Sequence, residues 1–109
     1  MTRLLAEGAQ DATIYVGDVG TLVILDCEEP ITDFEFFEFL MRAPRSQTVR
    51  TLPAQRHSDT SLCRTMDAQD LAPGPGEYLI HGRLRTSGGL TLHTDMVTLT
   101  VSPLWKKKI

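Results

Sequence analysis

Apolar and polar residues alternate with a period of two through most of this chain, the pattern of half-buried strands. The clearest run follows a turn rich in Pro and Gly, Asp70-Leu71-Ala72-Pro73-Gly74-Pro75-Gly76. Beyond it, Tyr78, Ile80, Gly82 and Leu84 fall on one face, and Glu77, Leu79, His81, Arg83 and Arg85 on the other. A Tyr entering a strand just past such a turn predicts a tyrosine corner: the ring joins the core and the hydroxyl bonds to backbone a few residues upstream.

Shorter alternating runs predict strands at residues 13–16, 21–27, 47–52 and 61–66. In residues 21–27, Leu22 and Ile24 face one way and Val23, Leu25 and Cys27 the other, so this strand is expected to be covered on both sides. Residues 33–42 pack four Phe into six positions, which favours strand over helix. Phe37, Phe39 and Met41 are expected inward, and Phe36, Glu38, Leu40 and Arg42 outward. Residues 53–60 read as polar loop. Thr86-Ser87-Gly88-Gly89 reads as a hairpin into a last strand over residues 90–101. That strand carries a parity conflict. Hairpin pairing puts Leu92 inside opposite Leu84, yet Val97, Leu99 and Val101 require odd positions inside. One extra residue near 93–95, a β-bulge, reconciles the two. Residues 1–11, with weak periodicity, read as a lead-in segment and residues 104–109 as a tail. Residues 12–103 are expected to form an all-β, immunoglobulin-like β-sandwich of about seven antiparallel strands.

A length of 109 residues suits one domain, and 41% hydrophobic with 23% charged residues is ordinary for a globular chain. The net charge of −3 is unevenly spread. Residues 4–41 hold nine acids and no Lys or Arg, whereas residues 42–66 hold five Arg and the single acid Asp59. Solvated faces of different sign would give this pattern. So would a dipolar module whose acidic side meets a basic side of a neighbour. The acidic excess and the lack of aromatics among the Arg residues argue against nucleic acid. No apolar run approaches membrane-span length. The first residues lack the apolar core of a signal peptide, so cytoplasmic synthesis without export is expected. Ile80 stands two residues after Tyr78, where an antibody-type domain would carry its second Cys, so Cys27 and Cys63 are expected to be free thiols.

The chemistry-bearing residues point away from catalysis. His81, His93 and Asp95 lie on neighbouring strands, but a metal site needs three or four convergent ligands. His57, Ser58 and Asp59 are contiguous, whereas a Ser-His-Asp mechanism needs them to converge in separate roles. No catalytic residue, cofactor or metal is expected. The candidate site is a contact surface: Phe36 and Leu40 facing outward beside Leu79, rimmed by Glu35, Glu38 and Arg83. A carbohydrate- or cell-surface-binding module is the alternative, with Tyr15 and Trp105 as its exposed aromatics.

The order of these segments resembles a family of small phage tail proteins, similar to the N-terminal immunoglobulin-like domain of the baseplate upper protein of lactococcal phages and its prophage relatives. Residues 12–21, with Gly17-Asp18-Val19-Gly20, resemble the family's opening strand and turn. Residues 37–44, ending Arg42-Ala43-Pro44, resemble its alternating strand closed by a basic residue and a Pro. The Asp70-Leu71 corner, Gly76-Glu77-Tyr78 and Thr98-Leu99-Thr100-Val101 resemble its later strands. The chain departs from the pattern at Arg45-Ser46, where relatives have an Asp-Gly turn. The resemblance implies a structural, non-enzymatic role in a phage tail or baseplate. Its partners would be other tail or virion proteins or further copies of the chain, and its final location the virion.

Overall fold

The computed structural model describes residues 3–6, 13–15 and 20–102. Nine strands appear among them: β1 (Arg3–Ala6), β2 (Thr13–Tyr15), β3 (Leu22–Asp26), β4 (Phe36–Arg42), β5 (Val49–Arg56), β6 (Ser61–Thr65), β7 (Gly76–Arg85), β8 (Thr91–His93) and β9 (Val97–Ser102). They follow the path β1-β3-β6-β5-β4-β7-β9-β2, with β8 also on β7. β5 serves both layers. Its residues from Val49 to Ala54 pair with β4, and Gln55 and Arg56 pair with β6. Pro53 stands just before the crossing, where its missing N–H costs no ladder bond because β5 is an edge there. The result is an immunoglobulin-like β-sandwich.

The core lies between the layers. Val23, Leu25 and Leu62 from one side meet Phe39, Met41, Tyr78, Ile80, Leu99 and Val101 from the other. Gly82 lies at a close approach between the layers. A Cβ there would stand 2.9 Å from Leu25 Cδ2 and 3.3 Å from Leu62 Cδ1, so any larger residue would push the Leu25 side chain aside.

The alternation in β7 holds as read: Tyr78, Ile80 and Leu84 are fully buried. The Tyr78 hydroxyl donates to the Gly74 carbonyl at 2.6 Å, completing the corner. Gly74 itself has φ 95°, a left-handed conformation that Gly adopts without strain. The bulge is also present. His93 pairs with Arg83 and Val97 with Ile80, so three residues oppose two. The Thr94 side chain repairs the gap. Its Oγ1 accepts from the Gly82 N–H at 2.8 Å and donates to the Asp95 carbonyl at 3.0 Å.

Four expectations need correction. Arg3–Ala6 is not lead-in: it pairs with β3, with Leu4 opposite Leu25, and Leu4 joins the core. Residues 53–56, expected as loop, continue β5. β2 pairs with β9 in parallel, so the sheet is not wholly antiparallel. Leu92 does pair with Leu84 but remains 49% exposed, because it lines an open cleft with Pro30 and Ile31 rather than the closed core. The expected tail, residues 104–109, lies outside the described residues.

Candidate docking surface

Strand register decides which outward residues become neighbours. Across the outer face of the β5-β4-β7-β9 sheet, Leu40 lies between Thr51 and His81, and Glu38 between Pro53 and Arg83. Arg42 lies between Val49 and Leu79, and Phe36 opposite Arg85. All five anticipated residues, Phe36, Leu40, Leu79, Glu38 and Arg83, thus share one face.

They do not contribute equally. Phe36 is 51% exposed, with the Arg85 guanidinium carbon 5.9 Å from its ring centre. Leu79 is half-buried. Leu40 faces outward yet is only 9% exposed, because it sits in the middle strand between filled neighbours. The expectation of an exposed Leu40 is therefore corrected: it supports the surface from below. Glu38 and Arg83 are partners rather than free rim charges. Arg83 Nη2 stands 2.7 Å from Glu38 Oε1, and Arg83 Nε donates to the same oxygen at 2.8 Å. Glu35, also placed on the rim, is exposed. Val49, 54% exposed, belongs to the same face and escaped the sequence reading. Alternation in residues 49–53, with Val49, Thr51 and Pro53 opposite Leu52, was the signal that could have found it.

His81 and His93 do come together on this face, ring centres 5.5 Å apart. Burial, aided by His93 and Arg83, holds His81 below its ordinary value, so it is uncharged near neutrality. Among the described residues, no group of three or more His, Cys, Asp or Glu side chains could hold a metal ion. The His57, Ser58 and Asp59 run closes a turn. His57 Nδ1 and Ser58 Oγ both meet Ser61 Oγ, at 3.2 and 2.6 Å. Cys27 and Cys63 are free thiols. Burial, with Asp26 and Glu29 nearby, pushes the Cys27 thiol up to about 11, so it is held as the neutral thiol at neutral pH. Trp105 and the Tyr15 side chain lie outside the described residues.

The loops at the two ends differ in charge. Cys27 N–H to the Thr60 carbonyl at 2.9 Å, Ile31 N–H to the Asp59 carbonyl at 2.8 Å and Glu35 N–H to the Arg85 carbonyl at 2.9 Å tie down the acidic loop that precedes β4. At the other end, Asp70 is buried and grips Arg64 by two bonds, Nε to Oδ2 at 3.0 Å and Nη2 to Oδ1 at 3.1 Å. Arg50 holds the same corner loop, donating to the Gln69 carbonyl at 3.1 Å and the Asp70 carbonyl at 2.7 Å.

No protein-family model matches the chain, and no curated protein does. In solved structures, the fold is similar to the crystal structure of CopC from Methylosinus trichosporium OB3b. That likeness has a TM-score of 0.56 at 17% identity, over 99% of this chain and 100% of that one. At such identity it speaks for the β-sandwich and for nothing finer.

Proposed function

We propose that this protein is a non-catalytic docking module of a phage or prophage tail or baseplate, which binds other tail proteins through the outer face of the β5-β4-β7-β9 sheet. The observation that carries this reading is the patch itself. Phe36 at the start of β4 and Val49 across from its end are each about half exposed on one sheet face, with Leu79 on the other side of Arg42 from Val49 and the Glu38–Arg83 pair between the two ends. Apolar groups rimmed by polar ones on a rigid element are the usual makings of a protein contact. The ordered likeness of the strands to phage baseplate modules supplies the setting. The patch spans three strands, β5, β4 and β7, only about 10 Å across at about 4.8 Å between strands. Contacts of that size gain strength when many copies engage at once, as in a tail.

Two experiments test it. Phe36→Asp should leave the fold intact by circular dichroism and abolish binding to the tail partner. An unfolded variant would make Phe36 a core residue, and unchanged binding would remove it as an anchor. Mass spectrometry of purified virions from the host should find the chain in the tail. Its consistent absence, or a gene setting of metabolic enzymes alone, would sink the phage reading.

A further inference from the structure

We infer that the cleft between the β4–β5 turn and the corner loop is a docking site for the acidic β3–β4 loop of a second copy of this chain. This contact lies at one end of the sandwich, bordering the sheet face at Arg42 and Leu79 but not reaching Phe36, and it would assemble copies head to tail.

The cleft encloses about 470 Å³ and is walled by Pro44 and Ala43 on one side and Ala72 and Pro73 on the other, with Arg50 at its base. A second groove of about 340 Å³ shares the β4–β5 turn and adds Arg42 and Arg45. Residues 42–50 thus carry three Arg and no acid. None of these three has an ion-pair partner among the described residues. The nearby acids Asp67 and Asp70 are committed to Arg64. Glu77 is the one acid lining the second groove. Arg50 gives its terminal nitrogens to the Gln69 and Asp70 carbonyls, neutral acceptors that leave its charge uncompensated. Its Nε is, among the described residues, the one buried side-chain nitrogen or oxygen without an acceptor. Arg45 reaches only long contacts to the Pro73 and Pro75 carbonyls, at 3.4 and 3.5 Å. Its backbone is held at φ 61°, one of two non-Gly residues with positive φ among the described residues. Strain of this kind collects where a side chain must be aimed.

The complementary charge sits on the opposite end of the same molecule. Residues 28–35 carry four acids and no Lys or Arg. Glu28, the other non-Gly residue with positive φ, at 59°, starts this loop and is paired with Arg3 at 3.0 Å. Glu29, Asp33 and Glu35 are exposed. Arg3, Arg56 and Arg85 are the cations at this end; Arg3 is held by Asp26 and Glu28, and Arg85 already lies over Phe36. The backbone bonds from residues 27, 31 and 35 hold the loop in shape, so docking it needs little ordering. β4 runs between the two loops, and its seven residues separate them by about 20 Å at about 3.3 Å each. Within one chain that distance exceeds the ~8–10 Å Debye length at physiological salt, so neither end can neutralise the other. Between chains the two ends can meet. The surfaces differ, so the contact is heterologous, and repetition gives a ring or a filament rather than a closed dimer.

Sedimentation of the purified chain tests this. At low salt, wild-type mass should rise with concentration past the dimer, and about 0.5 M salt, with its Debye length of only a few Å, should return it to monomer. Arg45→Glu and Asp33→Arg should each be monomeric, and mixed one to one they should associate again. Arg42→Glu and Glu29→Lys repeat the test should either first variant fail to fold. A wild type that stays monomeric at low salt, variants that associate like wild type, or a mixture that stays monomeric would each overturn the inference. Phe36→Asp separates the two contacts: it should leave this association unchanged. Loss of association in Phe36→Asp alone would assign the contact to the sheet face instead.

Discussion

Tyr78→Phe isolates the one hydrogen bond that defines the corner. The ring keeps its burial, and only the hydroxyl, 2.6 Å from the Gly74 carbonyl, is removed. A net hydrogen bond contributes about 1 kcal/mol, and leaving a partner unsatisfied adds to the loss. Gly74 is half-buried, so water can replace the donor in part. The expected loss is therefore about 1–2 kcal/mol, from a total of about 5–15 kcal/mol for a domain of this size. The fold survives, and the thermal midpoint falls by about 4–8 °C. Urea and thermal melts by circular dichroism measure it. A second arm tests the cause. Burial raises the Tyr78 hydroxyl above its ordinary 10.0, opposed by Arg50 and Arg45. As pH rises past 10, the unfolded chain loses this proton first, so wild type loses stability that Tyr78→Phe never had. The gap between the two proteins should narrow there. A midpoint change below about 1 °C at pH 8, or a gap that stays constant from neutral to strongly alkaline pH, would refute the argument.

Two more predictions follow from the same structure. Asp70→Ala strands Arg64, whose side chain is 16% exposed, and should cost about 3 kcal/mol in urea melts. Asp70→Leu with Arg64→Met should be milder than Asp70→Ala alone, and the reverse order would show that Asp70 acts through something other than this pair. For His81, burial holds the folded value below 6.5. The unfolded chain then takes up the proton first as pH falls below 6.5, so the stability due to neutral His81 is complete above that pH and is lost on acidification. His81→Gln should flatten the pH dependence of the thermal midpoint between pH 8 and 5, and parallel curves would discount His81.

The elements were legible wherever one face was consistently apolar. The period of two in residues 77–85 determined which side of β7 faces the core, because a one-residue slip would expose Tyr78, Ile80 and Leu84 together. The parity conflict between Leu92 and Leu99 required one extra residue, since a regular strand cannot change faces. The Phe-rich run placed Phe39 and Met41 inside for the same reason. β1 was hidden because four residues with one deeply buried Leu carry too little period to stand out. The crossing of β5 was hidden because its Pro53 and polar neighbours look like loop.

The surface depended on the assembled sheet. Sequence alone set Phe36, Leu40, Leu79, Glu38 and Arg83 on outward positions, since that follows from alternation within each strand. It could not rank them, because exposure depends on what lies across the ladder, and register is a relation between distant segments. Only the tertiary structure closed Leu40 between Thr51 and His81, paired Glu38 with Arg83 and opened Val49. Sequence likewise showed acids before residue 42 and Arg after it. Only the extended run of β4, with the acidic loop at its start and the Arg-bearing turn at its end, turned that linear asymmetry into two differently charged ends.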